Sequence, residues 1–169
     1  MRDQTTTFHE LYVRYSGDVY RFAHWLSGNA DDARDITAET FSRMWTAAEP
    51  RSESVKAYLF AIARNIHRKQ ARRQSRNLAL DDSVQELPDR GATPDEHAAS
   101  QDELRRALGA LRMLPELDRA VLLMRAEGGM SYDEISAATG ISVAAAKVKV
   151  FRARARLAAL LQPKPESIP

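Results

Sequence analysis

Two sets of polar and cationic side chains recur at helical spacing in this sequence. Asn65, Arg68, Lys69, Arg72, Arg73 and Arg76 are separated by three, one, three, one and three positions. Lys147, Lys149, Arg152, Arg154 and Arg156 fall in one run that contains no acid. Ammonium and guanidinium groups concentrated in this way suit a polyanion, because phosphate oxygens accept their charge-assisted hydrogen bonds. Without such a partner the arrangement is unfavourable: like charges one helical turn apart repel by a few tenths of a kcal/mol per pair, roughly. The plain alternative for each set is a solvated basic helix end. Nothing resembles a catalytic constellation. There is no cysteine, hence no disulfide framework and no thiolate metal site. His9, His24, His67 and His97 are scattered, without metal-ligand spacing. We therefore expect no catalytic residue, no metal and no cofactor.

The second cationic set sits in a patterned stretch, Ser131–Leu157. Ser131 with Glu134 three residues on fits a capping box, which satisfies free N–H groups at a helix start. Ile135 and Ala138 supply an inward face. Gly140 provides the left-handed residue that ends the helix. Ser142 is placed to cap the next one. A short helix, a glycine turn and a basic second helix form the helix-turn-helix pattern, whose second helix enters the DNA major groove. An ordinary helical hairpin with a basic face is the alternative.

The elements that position these side chains follow from periodicity. Phe8, Leu11, Tyr12, Tyr15, Val19, Phe22, Ala23 and Leu26 predict an amphipathic helix ending near Gly28. A second helix, capped by Asn29 or Asp31, carries Ala33, Ile36, Phe41, Met44 and Trp45 inward and stops before Pro50. Its polar face shows Asp32, Asp35 and Glu39. A third, starting at Ser52 or Ser54, has the core stripe Val55, Tyr58, Leu59, Ile62, Ala63 and Ile66. The first cationic ridge lies roughly 80° round from that stripe. Residues 77–92 lose the periodicity and collect acids, a Pro and a Gly, which predicts a flexible acidic linker. Thr93-Pro94-Asp95-Glu96 is a helix start, followed by Leu104, Leu108, Leu111 and Leu114. Pro115 opens a further helix with Leu117, Val121, Leu122 and Met124, broken at Glu127-Gly128-Gly129. The tail from Pro163 to Pro169 is expected to be disordered.

An all-α fold follows: two small helical domains, 1–76 and 93–162, the second containing the helix-turn-helix. Lobes of about 70 residues bury little apolar surface and are marginal alone. Net charge is only +2, yet charge is segregated. Residues 1–50 hold 5 basic and 8 acidic side chains, 51–76 hold 8 and 1, 77–103 hold 1 and 8, and 104–162 hold 10 and 5. Such blocks imply separate surfaces for separate partners, the basic ones pointing to nucleic acid. No apolar run has the length of a signal peptide or a membrane span, so a cytoplasmic protein without membrane insertion is expected.

Nearly the whole chain resembles a bacterial RNA polymerase sigma factor of the extracytoplasmic-function group, whose members keep two helical domains, regions 2 and 4. Three stretches carry the resemblance. They are Asp32-Ala33-Arg34-Asp35 with Glu39-Thr40-Phe41 and Trp45; Ala57 through Asn65 with Arg72-Arg73; and Leu114-Pro115 through Leu157. The resemblance implies an initiation factor that binds core polymerase and directs it to particular promoters. Asp32, Asp35 and Glu39 would dock on the clamp helices of the largest subunit, with the polymerase flap a further contact. Tyr58, Phe60, Arg64, Asn65, Arg68, Lys69, Arg72, Arg73 and Arg76 would hold the opened −10 element, the aromatics by stacking on bases. Ser142, Lys147, Lys149, Arg152, Arg154 and Arg156 would sit on the −35 duplex. An anti-sigma protein commonly holds such factors inactive.

Three departures stand out. Arg34 replaces the family's usual acid, and Lys69 stands where Asp is common. The recognition helix also has a second apolar stripe, Ala144, Val148, Phe151 and Ala155, outside its core face of Val143, Ala146, Val150, Ala153 and Leu157. Val148 and Phe151 would touch thymine methyls or a partner protein, or else be covered by the other lobe. The rival readings are a helix-turn-helix repressor or activator without polymerase, a sigma mimic that sequesters an anti-sigma protein, and a helical RNA-binding protein.

Overall fold

A computed structural model of the 169-residue chain describes residues 8–47, 54–80 and 98–163. The described residues are almost wholly helical. The N-terminal lobe holds α1 (Phe8–Ser27), α2 (Ala30–Thr46) and α3 (Val55–Leu80); the C-terminal lobe holds α4 (Ala98–Arg112), α5 (Glu116–Ala126), α6 (Tyr132–Thr139) and α7 (Val143–Leu161). The Thr93 helix start, Pro50, Ser52, residues 81–92 and the last six positions lie outside the described residues. α3 runs to Leu80, past Arg76 and into the segment read as linker.

Each lobe closes around the apolar face that its periodicity marks. Val19, Phe22, Ala23 and Leu26 of α1 meet Ala33, Ile36 and Phe41 of α2 and Leu59, Ala63 and Ile66 of α3. Asn29 caps α2 by accepting hydrogen bonds from the N–H groups of Asp31 and Asp32 at 2.8 and 3.2 Å. In the other lobe, Val121 and Met124 of α5 pack with Ile135 of α6 and Ala146, Val150 and Ala153 of α7. The two sets merge into one continuous buried cluster, because α3 packs on α6 and α1 packs on α4 and α5.

The structure corrects two side-chain assignments. Phe60, expected off the core stripe and free to stack on a base, is 0% exposed. It lies against Phe22 with ring centroids 4.6 Å apart, at the point where the other lobe closes on α3. Trp45, expected inside, is 68% exposed. The stripe on α3 is in fact double: Leu59, Ala63 and Ile66 face their own lobe, while Phe60, Arg64 and His67, at i, i+4 and i+7, form a buried row that meets the partner lobe.

Gly128 makes the close approach possible. A Cβ there would stand 2.6 Å from the Met124 carbonyl oxygen and 3.1 Å from Phe60 Cε1. Gly128→Ala should therefore destabilise the chain by about 1–3 kcal/mol, since backbone cannot yield as a side-chain tip does. Gly109→Ala, whose Cβ meets nothing within 4 Å, should stabilise α4 by about 0.4–1 kcal/mol. Urea unfolding of the two variants checks the pair; equal midpoints would refute the packing argument.

Candidate nucleic-acid interface

The first cationic surface is built by one long helix. Ser54 starts it: its Oγ accepts from Ala57 N–H at 3.1 Å. The first half of α3 is anchored in both lobes, and the second half projects beyond them. Asn65, Lys69, Arg72, Arg73 and Arg76 are exposed, and Arg68 is half-buried. Among the described residues no carboxylate pairs with Lys69, Arg72, Arg73 or Arg76. Among the described residues the ridge is thus a cationic rod without counter-charge, which attracts phosphate and repels itself. Arg64 departs from the expected arrangement. It is 7% exposed, and its Nε and Nη2 donate to the two carboxylate oxygens of Glu116 at 2.9 and 2.8 Å. Tyr58 is half-buried, and Phe60 is covered, with Lys56 Nζ 5.9 Å from its ring centroid. In this closed arrangement Arg64 and Phe60 are not presented to a ligand.

The second surface is the helix-turn-helix. Ser131 and Glu134 form the reciprocal cap: Glu134 N–H donates to Ser131 Oγ at 3.1 Å, and Ser131 N–H donates to Glu134 Oε1 at 3.3 Å. Gly140 turns the chain at φ 78°, a left-handed conformation that glycine adopts freely. Ser142 caps α7 by accepting from Ala145 N–H at 3.1 Å. Its oxygen is therefore engaged, and its O–H remains to donate to a phosphate. Ala146, Val150 and Ala153 face inward. Lys147, Arg152, Arg154 and Arg156 face solvent, with Lys147 Nζ 5.7 Å from the Tyr132 ring centroid. Lys149 is instead drawn to α5, where Nζ lies 3.2 Å from Asp118 Oδ1. The outer apolar stripe is open: Val148 is 46% and Phe151 76% exposed. It is not covered by the N-terminal lobe, so of the three readings only the thymine and partner ones remain.

The acidic face of α2 also divides. Asp35 is exposed, Asp32 is half-buried, and Glu39 pairs with Arg43 one turn on. Arg34 turns back onto Asp31, which neutralises the departure locally. An aromatic cluster joins α1 to α2, a contact that sequence reasoning did not foresee. Phe8 meets Trp45 and Tyr12 meets Phe41, both edge-on with centroids 5.0 Å apart. Its signal was available as two aromatic pairs at i,i+4, Phe8/Tyr12 and Phe41/Trp45, on neighbouring helices. Also missed were Glu116, Arg119 and His67, which line the seam. Among the described residues, no group of three or more His, Cys, Asp or Glu is placed to hold a metal, and no helix is long and apolar enough to cross a membrane.

Glu134 joins the two surfaces. One oxygen completes the α6 cap, and the other accepts the Ser54 hydroxyl at 2.7 Å, so one carboxylate holds the starts of α3 and α6 together. The Ser54 hydrogen bond, helped by Ser131 and by Lys56, holds its pKa below the ordinary 4.5 against the opposing effect of burial.

Two family models match the chain: sigma-70 region 2 over residues 11–77 and sigma-70 region 4 over residues 104–157. The extracytoplasmic-function RNA polymerase sigma factor SigM of Bacillus subtilis is 32% identical over 157 residues, covering 91% of this chain and 94% of SigM. The sigma factor SigE of Mycolicibacterium smegmatis is 31% identical over 154 residues, and there the match spans 88% of this chain but only 59% of the relative's length. The structure is similar to that of the sigma factor RpoE of Bartonella quintana in complex with the anti-sigma factor NepR, with a TM-score of 0.73 and 27% identity over 94% of this chain and 98% of that one.

The exposed ridge makes a quantitative prediction. Arg72→Ala combined with Arg73→Ala should weaken binding to single-stranded DNA and flatten the log–log salt slope by about 1.4, two phosphates' worth at about 0.7 each. Fluorescence anisotropy at several salt concentrations measures it. An unchanged slope would mean that these arginines touch no phosphate.

Proposed function

The chain belongs to the extracytoplasmic-function group of RNA polymerase sigma factors, and we propose that it seats itself on core polymerase and grips a promoter at two points. The observation that carries this reading is the second half of α3. It is a solvent-facing cationic rod, without a counter-charge among the described residues, that leads out of one lobe while a helix-turn-helix opens the other. Lys69, Arg72, Arg73 and Arg76 hold the backbone of the opened −10 strand. Arg152, Arg154, Arg156 and Lys147 position α7 on the −35 duplex, and Ser142 donates to a phosphate at its start. Lys149 contributes less, because Asp118 already holds it.

Melting then needs no catalytic group. The N-terminal lobe binds separated strands more tightly than duplex and shifts the equilibrium by that difference. Core polymerase takes the acidic face of α2 through Asp35, Glu39 and Asp32, which supply steering and register toward a basic coiled coil. Exposed Trp45, held by Phe8 near the end of the same helix, offers apolar contact area besides. An anti-sigma protein holds the factor inactive. That part rests on the likeness to RpoE bound to NepR and on the open Val148–Phe151 stripe, which offers an apolar contact.

The two-point grip places a demand on the seam. Elements centred 25 base pairs apart are separated by roughly 85 Å at about 3.4 Å per pair. α3, with its 26 residues, is only about 39 Å long at about 1.5 Å per residue. Lobes that touch through α3 and α6 do not span that gap, so promoter binding requires them to part.

Run-off transcription with purified core polymerase tests the reading: promoter-specific transcripts should appear from a genomic fragment library only when the factor is added. Their absence on every fragment would refute it. Asp35→Arg with Glu39→Arg should abolish core binding while the circular dichroism of the chain stays unchanged. Unaltered affinity for core would remove α2 from the docking role.

A further inference from the structure

The seam between the lobes carries a charge cluster with more cations than anions. Arg64 of α3 and Arg119 of α5 lie there with Arg112 of α4, and the one carboxylate at its centre is Glu116 of α5. Glu116 gives both oxygens to Arg64. Arg112 reaches across to the N-terminal lobe and donates to the Ser27 carbonyl oxygen at 3.1 Å. Arg119 has no such partner for its Nε, which is buried and meets no acceptor among the described residues.

His67 is buried in the middle of this cluster, one turn beyond Arg64 on α3. The charged groups acting on it are Arg119 and Glu116 from α5, Asp32 from α2 and Arg112 from α4. The carboxylate best placed to stabilise an imidazolium is already taken by Arg64. A proton on His67 would therefore add a further cation to a site whose nearest acid is spent, away from water.

We propose that this seam is a proton-sensitive latch: the lobes close over a neutral His67, and protonation of that imidazole drives them apart. Opening frees Arg64 from Glu116 and uncovers Phe60; that these residues then engage DNA rests on the function proposed above, whereas the opening itself does not.

The sign follows from linkage. Burial first, then Arg119 and least of all Arg112, hold the His67 pKa below its ordinary 6.5 in the closed chain, against the opposing effects of Glu116 and Asp32. Closure is then at full strength above pH 6.5, about the ordinary value, and weakens as the pH falls below it. The limit is set by an open-state imidazole of ordinary pKa: between pH 7.5 and 5.5 the opening constant rises by up to about ten-fold. Glu134, which also bridges the lobes, is held below its ordinary 4.5 and stays ionised across this range.

The chain has no native cysteine, so dyes attached at Ser42→Cys and Ala159→Cys, both exposed, report the distance between the lobes in the full-length protein. Energy transfer should fall from pH 7.5 to 5.5. Glu116→Gln should lower it at both pH values, and His67→Gln should remove the pH dependence while far-UV circular dichroism is unchanged. A distance that does not move with pH, or that moves equally in His67→Gln, overturns the latch. Should His67→Gln unfold, the imidazole titration of the unsubstituted chain by nuclear magnetic resonance decides: a pKa below 6.5 supports the latch, and one at or above 6.5 overturns it. DNA binding is not read in any arm, so failure of the promoter reading would leave these outcomes intact.

Discussion

The bidentate pair between Arg64 and Glu116 governs what the rest of the chain can do. A guanidinium fork matches a carboxylate and a phosphate in the same geometry, so Glu116 occupies Arg64 in the way that a nucleic-acid backbone would. Removing such an ion pair from water costs several kcal/mol per charge unless geometry and further hydrogen bonds compensate, about as much as the attraction returns. The pair therefore adds less to stability than to selection of one arrangement of the lobes. Phe60 under Gly128, and Ser54 on Glu134, lie along the same line of contact. A change that frees Arg64 loosens the rest of that line as well.

Charge segregation along the chain becomes a division of labour in space. The acids of α2 sit on one outer face, partly answered by arginines of the same helix. The cations of α3 beyond the seam are answered by nothing among the described residues. Those of α7 are mixed: Lys149 is held by Asp118, while Arg152, Arg154 and Arg156 stay in solvent. The helix-turn-helix is locally self-sufficient, with a reciprocal cap at Ser131, a glycine turn at Gly140 and a serine cap at Ser142. Its recognition surface is open even while the lobes are closed. The two cationic surfaces are therefore unequal in the closed chain: that of α7 is presented, and the inner part of that of α3 is covered.

Local pattern determined a large part of this protein. Helix-period apolar residues, the caps at Asn29, Ser131 and Ser142 and the turn at Gly140 act between neighbours a few positions apart, so the helices and the helix-turn-helix were legible in the chain alone. So was the exposed half of α3, because a dense cationic run has nowhere to go but solvent. What tertiary structure decided lies wherever one helix serves two neighbours. Phe60 and Arg64 read as outward, DNA-facing side chains because periodicity identifies the face toward a helix's own lobe and is blind to a second one. Trp45 reads as core by type and spacing, yet α2 ends beyond the apolar surface that would have covered it. Lys149 differs from Arg152 only in having Asp118 opposite, a residue 31 positions away. The seam rests on pairs such as Ser54 with Glu134, 80 positions apart. Contacts at such separations leave no periodic trace, and only the closed packing of the lobes creates them.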